Sequence, residues 1–522
     1  MPLAKPVALI SLTDRTGLKE LANALTTAGY RIVASAGTAA AIRALNLACD
    51  DVEAVTDYPA LFGGRVKTLH PRVFGGILAR PTLASDADEL EVHNIPRVEV
   101  VAVNLYRFAE TASRPDALEE EVIEQIDVGG VALLRAAAKN YEHVSVLAEP
   151  GLYPEFIATL ARGGPSKEER QRWAARAFAI VAEYDDAIAS YYARGKGDGL
   201  PDILSLNLPM RSRLRYGENP WARAAFYHGE EKAFPQALAG KTLSYNNLLD
   251  VDSCLRLIAP ISEPLGFPSD ARPAAPVLAA IVKHTIPCGL AAANSSKEAL
   301  EAALGADPIS AFGGIVAVNA RLELASAQIL ASRFLEVVAA PEYDEAALEL
   351  LRAKKSLRLL RFDPHLPAQL LAGTTVRSAL GGVLAEQPDP AAPPDAWKVV
   401  TERTPSPDEW RDLLFAFGAV RQVKSNAAVV ARHQVTLGIC GGQTNRVAAV
   451  ELASKRAGTA VKGAVLATDG FFPFPDGIEA AIAAGIAAVV APSGSIRDGE
   501  VIEAARRGGI SLVFTSRRYF LH

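Results

Sequence analysis

The chain has 522 residues, half of them apolar, with 54 Lys and Arg set against 59 Asp and Glu for a formal net charge of −5. That length exceeds what one core can organise and predicts roughly three to four domains, while the apolar content excludes a disordered chain. The near-balanced charge, with no basic block, excludes a nucleic-acid surface but leaves local Lys/Arg clusters suited to a small anionic substrate.

In chain order, Val7–Leu12 reads as a strand, followed by Thr13-Asp14-Arg15-Thr16-Gly17 and a helical pattern over Leu18–Ala28. Tyr30–Ser35 is a second strand, followed by Ala36-Gly37-Thr38 and another helix. Val52–Thr56, Gly75–Ala79, Val98–Leu105 and Val144–Leu147 continue the alternation as strands. This predicts a doubly wound parallel sheet whose strand-following loops share one edge. Two of those loops carry hydroxyls and free N–H groups at a helix start, and Arg15 adds a charge. That favours a phosphate site over ordinary capping by Thr13 or Thr38.

Gly63-Gly64-Arg65-Val66-Lys67-Thr68-Leu69-His70-Pro71 packs two cations, a hydroxyl and a His into a glycine-hinged loop between the expected third and fourth strands. Asn104-Leu105-Tyr106 ends a strand, and Asp127-Val128-Gly129-Gly130 opens a helix carrying Arg135, Lys139 and Asn140. Ala174–Tyr192 has the spacing of a long helix, and Gly195–Pro201 is the expected linker, dividing the chain into 1–195 and 196–522. The stretch around Pro388–Pro394 predicts a break near 385–400 between two lobes of the second region. No internal repeat is evident.

The apolar run Pro276–Val282 reads as an interior strand leading into Lys283-His284-Thr285-Ile286-Pro287-Cys288-Gly289, where Pro-Cys-Gly is expected to turn the chain sharply. Lys283 and His284 then stand side by side at a strand exit, where open α/β sheets bind ligands. Cys49, Cys254, Cys288 and Cys440 lie far apart with no CxxC, which argues against a disulfide framework and a Cys-rich zinc site. With no signal-peptide pattern at Met1–Pro6 and no apolar run long enough for a bilayer, a cytoplasmic, non-membrane enzyme is expected.

SLTDRTG, ASAGTA, GGRVKTLHP, NLY, EQIDVGGVALLRAAAKN and KHTIPCG together resemble the bifunctional purine-biosynthesis enzymes that make inosine monophosphate. The resemblance runs from Ser11 to His522, and GGRVKTLHP with RAAAKN is its most specific part. It implies an N-terminal inosine monophosphate cyclohydrolase of methylglyoxal-synthase-like fold. It further implies a C-terminal aminoimidazole carboxamide ribonucleotide (AICAR) transformylase of two cytidine-deaminase-like lobes. The resemblance puts a phosphate on Ser11, Thr13, Arg15, Ser35, Gly37 and Thr38. Arg65, Lys67, Thr68, Tyr106, Asp127 and Lys139 would gather around ring closure of the formylated ribotide (FAICAR). There a poorly nucleophilic carboxamide nitrogen needs orientation, oxyanion donors and proton transfer.

For the second region the resemblance implies ribotide contacts from Arg215 and Tyr216 and a matching segment at Phe312-Gly313. Formyl transfer from 10-formyltetrahydrofolate, the co-substrate, would use His284 as base, since an imidazole is the side chain suited to that near neutral pH. Lys283 would serve as acid or oxyanion partner and Asn426 would hold the formyl group. Glu336, Gln443 and Asp469 would lie on the folate side, with Phe471 or Phe472 evenly weighed between a pterin slot and core packing. Arg518, Phe520 and His522 would close over the ribotide. Departures from the family pattern are Ala36, Arg107, Trp221-Ala222 and Ile286. The family further implies a homodimer sharing its transformylase sites, no catalytic metal, and room for a structural monovalent cation.

Two competing readings are weaker. A zinc nucleobase deaminase needs H-x-E and P-C-x-x-C, and neither His284-Thr285-Ile286 nor Cys288 supplies them. A non-catalytic nucleotide sensor explains only the phosphate loops. Retention of one activity out of two is the closer alternative.

Overall fold

The computed structural model describes residues 5–193, 200–229, 235–262, 276–388 and 397–522. It separates into two compact units, Met1–Asn207 and Leu208–His522. Most of the expected linker, and the centre of the expected lobe break, lie outside the described residues.

In the first unit β1 (Val7–Ser11), β2 (Arg31–Ala34), β3 (Asp50–Asp51), β4 (Val98–Val103) and β5 (Ser145–Leu147) form one sheet in the order β3-β2-β1-β4-β5. Every neighbouring pair is parallel. Val7–Ile10 and Val100–Val103 are all buried, as expected of strands covered on both faces. The chain runs outward from β1 to β3, then returns to add β4 and β5 on the other side. That reversal puts a topological switch point between the carboxyl ends of β1 and β4.

Two expected strands are not strands. Glu53–Thr56 is a short helix after the two-residue β3, and Pro71–Leu78 is a helix. Pro71 sits in that helix's first turn, the His70 imidazole accepts from the Arg72 N–H at 3.2 Å, and Val73, Gly76 and Ile77 bury one face. Spacing of three and four residues, with Pro at the start, outweighed the short apolar run.

The second unit is built on a twelve-stranded mixed sheet, flanked by two ribbons, β6 (Met210–Arg213) with β7 (Ala225–Tyr227), and β14 (Thr375–Ala379) with β15 (Gly382–Glu386). One lobe contributes β8 (Gln236–Ala239), β9 (Val277–Lys283), β10 (Ile286–Ala293), β11 (Ile315–Val318), β12 (Val337–Ala340) and β13 (Arg358–Arg361). The other contributes β16 (Lys398–Val399), β17 (Ala428–Arg432), β18 (Val435–Cys440), β19 (Val465–Thr468), β20 (Ala488–Pro492) and β21 (Ser511–Thr515).

Outward from the central neighbours β10 and β18, the orders are β10-β9-β11-β12-β13-β8 and β18-β17-β19-β20-β21-β16. The strand directions match step for step: antiparallel, antiparallel, parallel, parallel, antiparallel. The lobes are therefore an internal repeat in topology, which is not evident along the sequence itself but accords with the two like lobes that the resemblance implied.

The expected sharp turn at Pro287-Cys288-Gly289 is also corrected. The chain turns at His284–Thr285, both with positive φ (56° and 59°), and Pro287 lies within β10 opposite Val282. The register shifts between Pro287 and Gly289. Lys283 and His284 thus sit at the tip of a tight antiparallel hairpin.

The repeat extends to glycines that let each central strand pass beneath a helix. A Cβ at Gly289 would stand 2.1 Å from the Ala303 carbonyl oxygen, and one at Gly438 would stand 2.1 Å from that of Ala453. Gly289→Ala and Gly438→Ala are each expected to destabilise the protein by about 3 kcal/mol through backbone overpacking. Gly499→Ala, in an open helical position, should not destabilise it. Urea unfolding midpoints of the three variants check this.

Candidate active sites

At the carboxyl ends of β1 and β2, three hydroxyls form a chain. Ser11 donates to Ser35 Oγ at 3.0 Å, Ser35 to Thr38 Oγ1 at 3.4 Å, and Thr38 in turn accepts from the Leu12 N–H at 3.0 Å. Ser35 precedes the helix Ala36–Ala44, and Gly37 in its first turn lies against Arg15, whose Nη2 would stand 3.2 Å from a Cβ there. Hydroxyls, a helix start and a guanidinium converge as a phosphate cradle would require. Asn104, at the end of β4, pins the Thr13 loop: its Oδ1 accepts from the Thr13 and Asp14 N–H groups at 2.6 and 3.0 Å, and its Nδ2 donates to the Asp14 carbonyl at 2.7 Å.

The second cluster of this unit forms at the start of the helix Val128–Lys139. Asp127 caps it, accepting from the Gly130 N–H at 2.6 Å, while its own N–H donates to Tyr184 Oη at 2.8 Å. The two glycines are required by close approach. A Cβ at Gly130 would fall 2.3 Å from the Asp127 carboxylate, and one at Gly129 would fall 2.8 Å from Thr68 Oγ1. Burial holds the Asp127 carboxyl above its ordinary range, opposed by the Gly130 N–H, the Lys67 charge and the Tyr106 backbone. Lys67, Thr68, Tyr106 and Asp127 are thus brought together from three distant motifs.

Arg65 is exposed and ion-paired to Glu124. Lys139 is exposed in the last turn of the helix that Asp127 caps, about 18 Å from Asp127 at 1.5 Å per residue, so the two side chains do not touch. His70 is occupied as a helix cap.

In the second unit, a cavity of about 1130 Å³ is lined by His284 and Thr285, by Asp250 and Arg256, by Arg377 and Glu386 of the β14–β15 ribbon, by Lys424, and by Arg518, Phe520 and His522. The last residues are tied down. Tyr519 N–H donates to the Asp469 carbonyl at 2.9 Å, Ser425 N–H to the Leu521 carbonyl at 2.9 Å, and Arg377 to the His522 carbonyl at 2.7 Å. Arg518 lies 4.5 Å over the Phe520 ring.

The remaining expected residues fall into two neighbouring groups outside that lining. Lys283 Nζ donates to the Phe312 carbonyl at 2.8 Å, Phe312 packs on Phe334, and Gly313 N–H donates to the Phe334 carbonyl at 2.8 Å. Glu336 is paired with buried Arg358 at 2.6 Å. Around Asn426, the side-chain amide donates to the Gln443 carbonyl at 2.9 Å, and the Ala427 N–H donates to Asp469 Oδ1 at 2.8 Å. Asp469 is fully buried and ion-paired with Arg446, so it supports the Asn426 loop and has no open face for a folate, a correction to its expected role. Phe472 is core. Arg215 is exposed beside Tyr216, 5.4 Å over its ring, and neither lines the cavity.

A family model described as the AICARFT/IMPCHase bienzyme matches residues 137–456, and one for the MGS-like domain matches residues 17–132. This chain belongs to the AICARFT/IMPCHase bienzyme family. It is 43% identical over 526 residues to the bifunctional purine biosynthesis protein PurH of Myxococcus xanthus, covering 99% of this chain and 100% of that one. Proteins of the same name from Desulfitobacterium hafniense and Thermosynechococcus vestitus are 43% and 45% identical, with 99% of each chain covered.

Within this AICARFT/IMPCHase bienzyme, the departures at Ala36, Arg107 and Trp221-Ala222 fit their local surroundings. Ala36 begins a helix and does not take a positive φ. Arg107 reaches Glu110 at 3.3 Å. Trp221 is almost wholly exposed, while Ala222 packs against Gly217. Sequence reasoning missed Asn104 as a loop anchor, Tyr184 as a partner of Asp127, and Asp250, Arg377 and Lys424 as cavity walls. Asn104 stood inside a motif already singled out; Arg377, on an exposed ribbon, carried no signal.

Because burial raises the Asp127 pKa, the folded state holds its proton more tightly than the unfolded chain. Its contribution to stability is full below the ordinary value of 3.8 and is lost as pH rises through the raised folded value. Asp127→Asn keeps a good helix cap and removes this titration. Its stability relative to the parent should therefore improve as pH rises above 3.8, measured by urea unfolding across pH. A pH-independent difference would contradict the burial argument.

Proposed function

We propose that this chain transfers the formyl group of 10-formyltetrahydrofolate to the 5-amino group of AICAR, giving FAICAR and tetrahydrofolate, and then closes FAICAR to inosine monophosphate with loss of water. The observation that carries the first step is the Lys283–His284 hairpin tip, with His284 on the wall of a cavity that Arg518, Phe520 and His522 also line.

In formyl transfer the AICAR amine is weakly nucleophilic, its lone pair being delocalised into ring and carboxamide. His284 takes a proton from it as it attacks the formyl carbon. Lys283, half-buried and anchored on the Phe312 carbonyl, is a held cation for the tetrahedral oxyanion, with Asn426 as a further donor. Arg518 and Arg215 bind the ribotide, and Phe312, Glu336 and Gln443 lie toward the folate.

In ring closure the phosphate rests on Ser11, Ser35, Gly37, Thr38 and Arg15, which orients the carboxamide nitrogen against the formyl carbon. Lys67 stabilises the oxyanion, and Asp127 and Tyr106 move protons as water leaves. The raised Asp127 pKa supports its use as an acid as well as a base. Arg65 and Thr68 bind the substrate.

Neither step requires a metal, and a structural monovalent cation is compatible with both. A homodimer with shared transformylase sites accords with the large apolar side chains exposed on the second unit, among them Trp221, Ile309, Phe312, Leu380 and Ile496. Among the described residues no helix is long and apolar enough to cross a membrane, and a cytoplasmic location accords with the substrates.

Purified protein given AICAR and 10-formyltetrahydrofolate should yield inosine monophosphate with little FAICAR. Lys283→Ala and His284→Ala should each slow formyl transfer by about 10²-fold or more while leaving conversion of supplied FAICAR within about twofold. Asp127→Asn should show the reverse pattern. Formyl transfer that survives His284→Ala, or accumulation of FAICAR by the parent protein, would sink the corresponding half of the assignment.

A further inference from the structure

The catalytic hairpin carries a backbone feature that the proposed chemistry does not explain. His284 and Thr285 both take left-handed backbone conformations that bulky residues avoid. Such a turn also points its N–H groups away from the strand ladder, and those groups need acceptors.

The acceptor is Asp250, buried in the helix Tyr245–Ser262. Its Oδ1 accepts from the Thr285 N–H at 2.6 Å, and the His284 N–H is also directed at the carboxylate. The imidazole of His284 is close enough to favour the charged carboxylate, against the burial that disfavours it.

The other lobe builds the same device. The β17–β18 turn is His433–Gln434, with φ of 55° and 56°. Asp412, buried in the helix Pro407–Val420, accepts from the His433 N–H at 2.9 Å and the Gln434 N–H at 2.7 Å. Each Asp stands six residues beyond a capping serine. Ser244 and Asn247 exchange bonds at 3.0 and 3.3 Å, as Ser406 and Glu409 do at 2.8 and 3.2 Å. Cap, third residue, carboxylate and left-handed turn recur together.

The duplicate isolates what the carboxylate does. In the second lobe neither Asp412 nor His433 nor Gln434 lines the cavity, and Arg432 donates to the Lys462 carbonyl. In the first lobe the identically held turn borders the cavity, and Asp250 itself reaches the cavity wall.

We propose that Asp250 is a positioning residue for formyl transfer: its carboxylate locks the His284–Thr285 turn in the left-handed conformation that presents the imidazole to the cavity. The inference rests on reading His284 as the base.

Four substitutions test it, with formyl transfer, conversion of supplied FAICAR and urea midpoint measured on each full-length protein. Asp250→Asn, which keeps one acceptor oxygen, should lower kcat for formyl transfer at least tenfold, with the KM for AICAR changed less than threefold and FAICAR conversion unchanged. Asp412→Asn should lower the urea midpoint comparably, yet leave kcat within twofold. A glycine takes the left-handed conformation without steric cost. Thr285→Gly in the Asp250→Asn background should therefore recover at least threefold in kcat. His284→Ala is the reference and should abolish formyl transfer.

An Asp250→Asn protein with kcat within twofold of the parent, or a loss that Thr285→Gly does not relieve, overturns the positioning role. So does an Asp412→Asn protein that loses kcat as severely, because the effect would then be general destabilisation. Activity persisting in His284→Ala would instead overturn the reading of the base, an outcome separate from the others.

Discussion

The second unit depends on one contact, the antiparallel meeting of β10 and β18 across the repeat. Ala291 faces Val435, Ala292 N–H donates to the Gln434 carbonyl at 3.0 Å, and buried Thr436 accepts from the Leu290 N–H at 2.9 Å while donating back to the Leu290 carbonyl at 3.2 Å. Because the two strands run in opposite directions, the tip of each hairpin lies toward the open end of the other. The His284 tip is thereby carried to the end of the sheet from which Lys424–Asn426 and Gly441–Gln443 emerge. A side chain from one lobe and loops from the other converge there without any long connection.

The same constraint explains the last residues. β21 is the parallel neighbour of β20, and the chain beyond it returns along the end of the sheet where Asp469 and Ser425 lie. Three backbone acceptors on or under that segment (the Asp469, Leu521 and His522 carbonyls) are satisfied there. Arg518, Phe520 and His522 are then held against the cavity instead of fraying, as a chain end otherwise would. The buried Arg446–Asp469 pair sits beneath, joining the Asn426 loop to this segment through Ala427. A buried ion pair is weak evidence of stability but strong evidence of a fixed geometry in this setting, where each charge also meets backbone groups.

Much of the fold was legible in the sequence wherever a strand was long, apolar and followed by a small-residue loop. β1, β2 and β4 and their loops were read from Val7–Leu12, Tyr30–Ser35 and Val98–Leu105, and the meeting of Ser11, Ser35 and Thr38 followed because those hydroxyls are local to the loops. Gly75–Ala79 failed because a five-residue apolar run does not distinguish strand from helix, and Pro71 was the better guide. The hairpin turn was misplaced because proline and glycine outweighed two residues whose left-handed conformation is imposed by a carboxylate on a distant helix. The repeat was implied by the resemblance and not by the residues read alone: Ser244, Asn247 and Asp250 match Ser406, Glu409 and Asp412 in position and role, a likeness too sparse to stand out along the chain. Where Lys139 stands was not legible either, because a motif records order along the chain, whereas twelve residues of helix separate it in space from Asp127.

Charge placement around the cavity gives the arrangement its direction. Arg256 is paired with Asp252 at 2.9 Å, and Arg377 is spent on the His522 carbonyl. Asp250 is spent on backbone N–H groups. Among the described residues, Arg518 and Lys424 on the same wall make no ion pair with a carboxylate, and Arg518 is stacked on Phe520. Those two cations stand on the cavity wall without a carboxylate partner. On the proposed reading, binding charge and proton transfer fall to different side chains. A loss of ribotide affinity and a loss of turnover should separate cleanly between the tail and the hairpin, because the fold anchors each through its own set of backbone bonds.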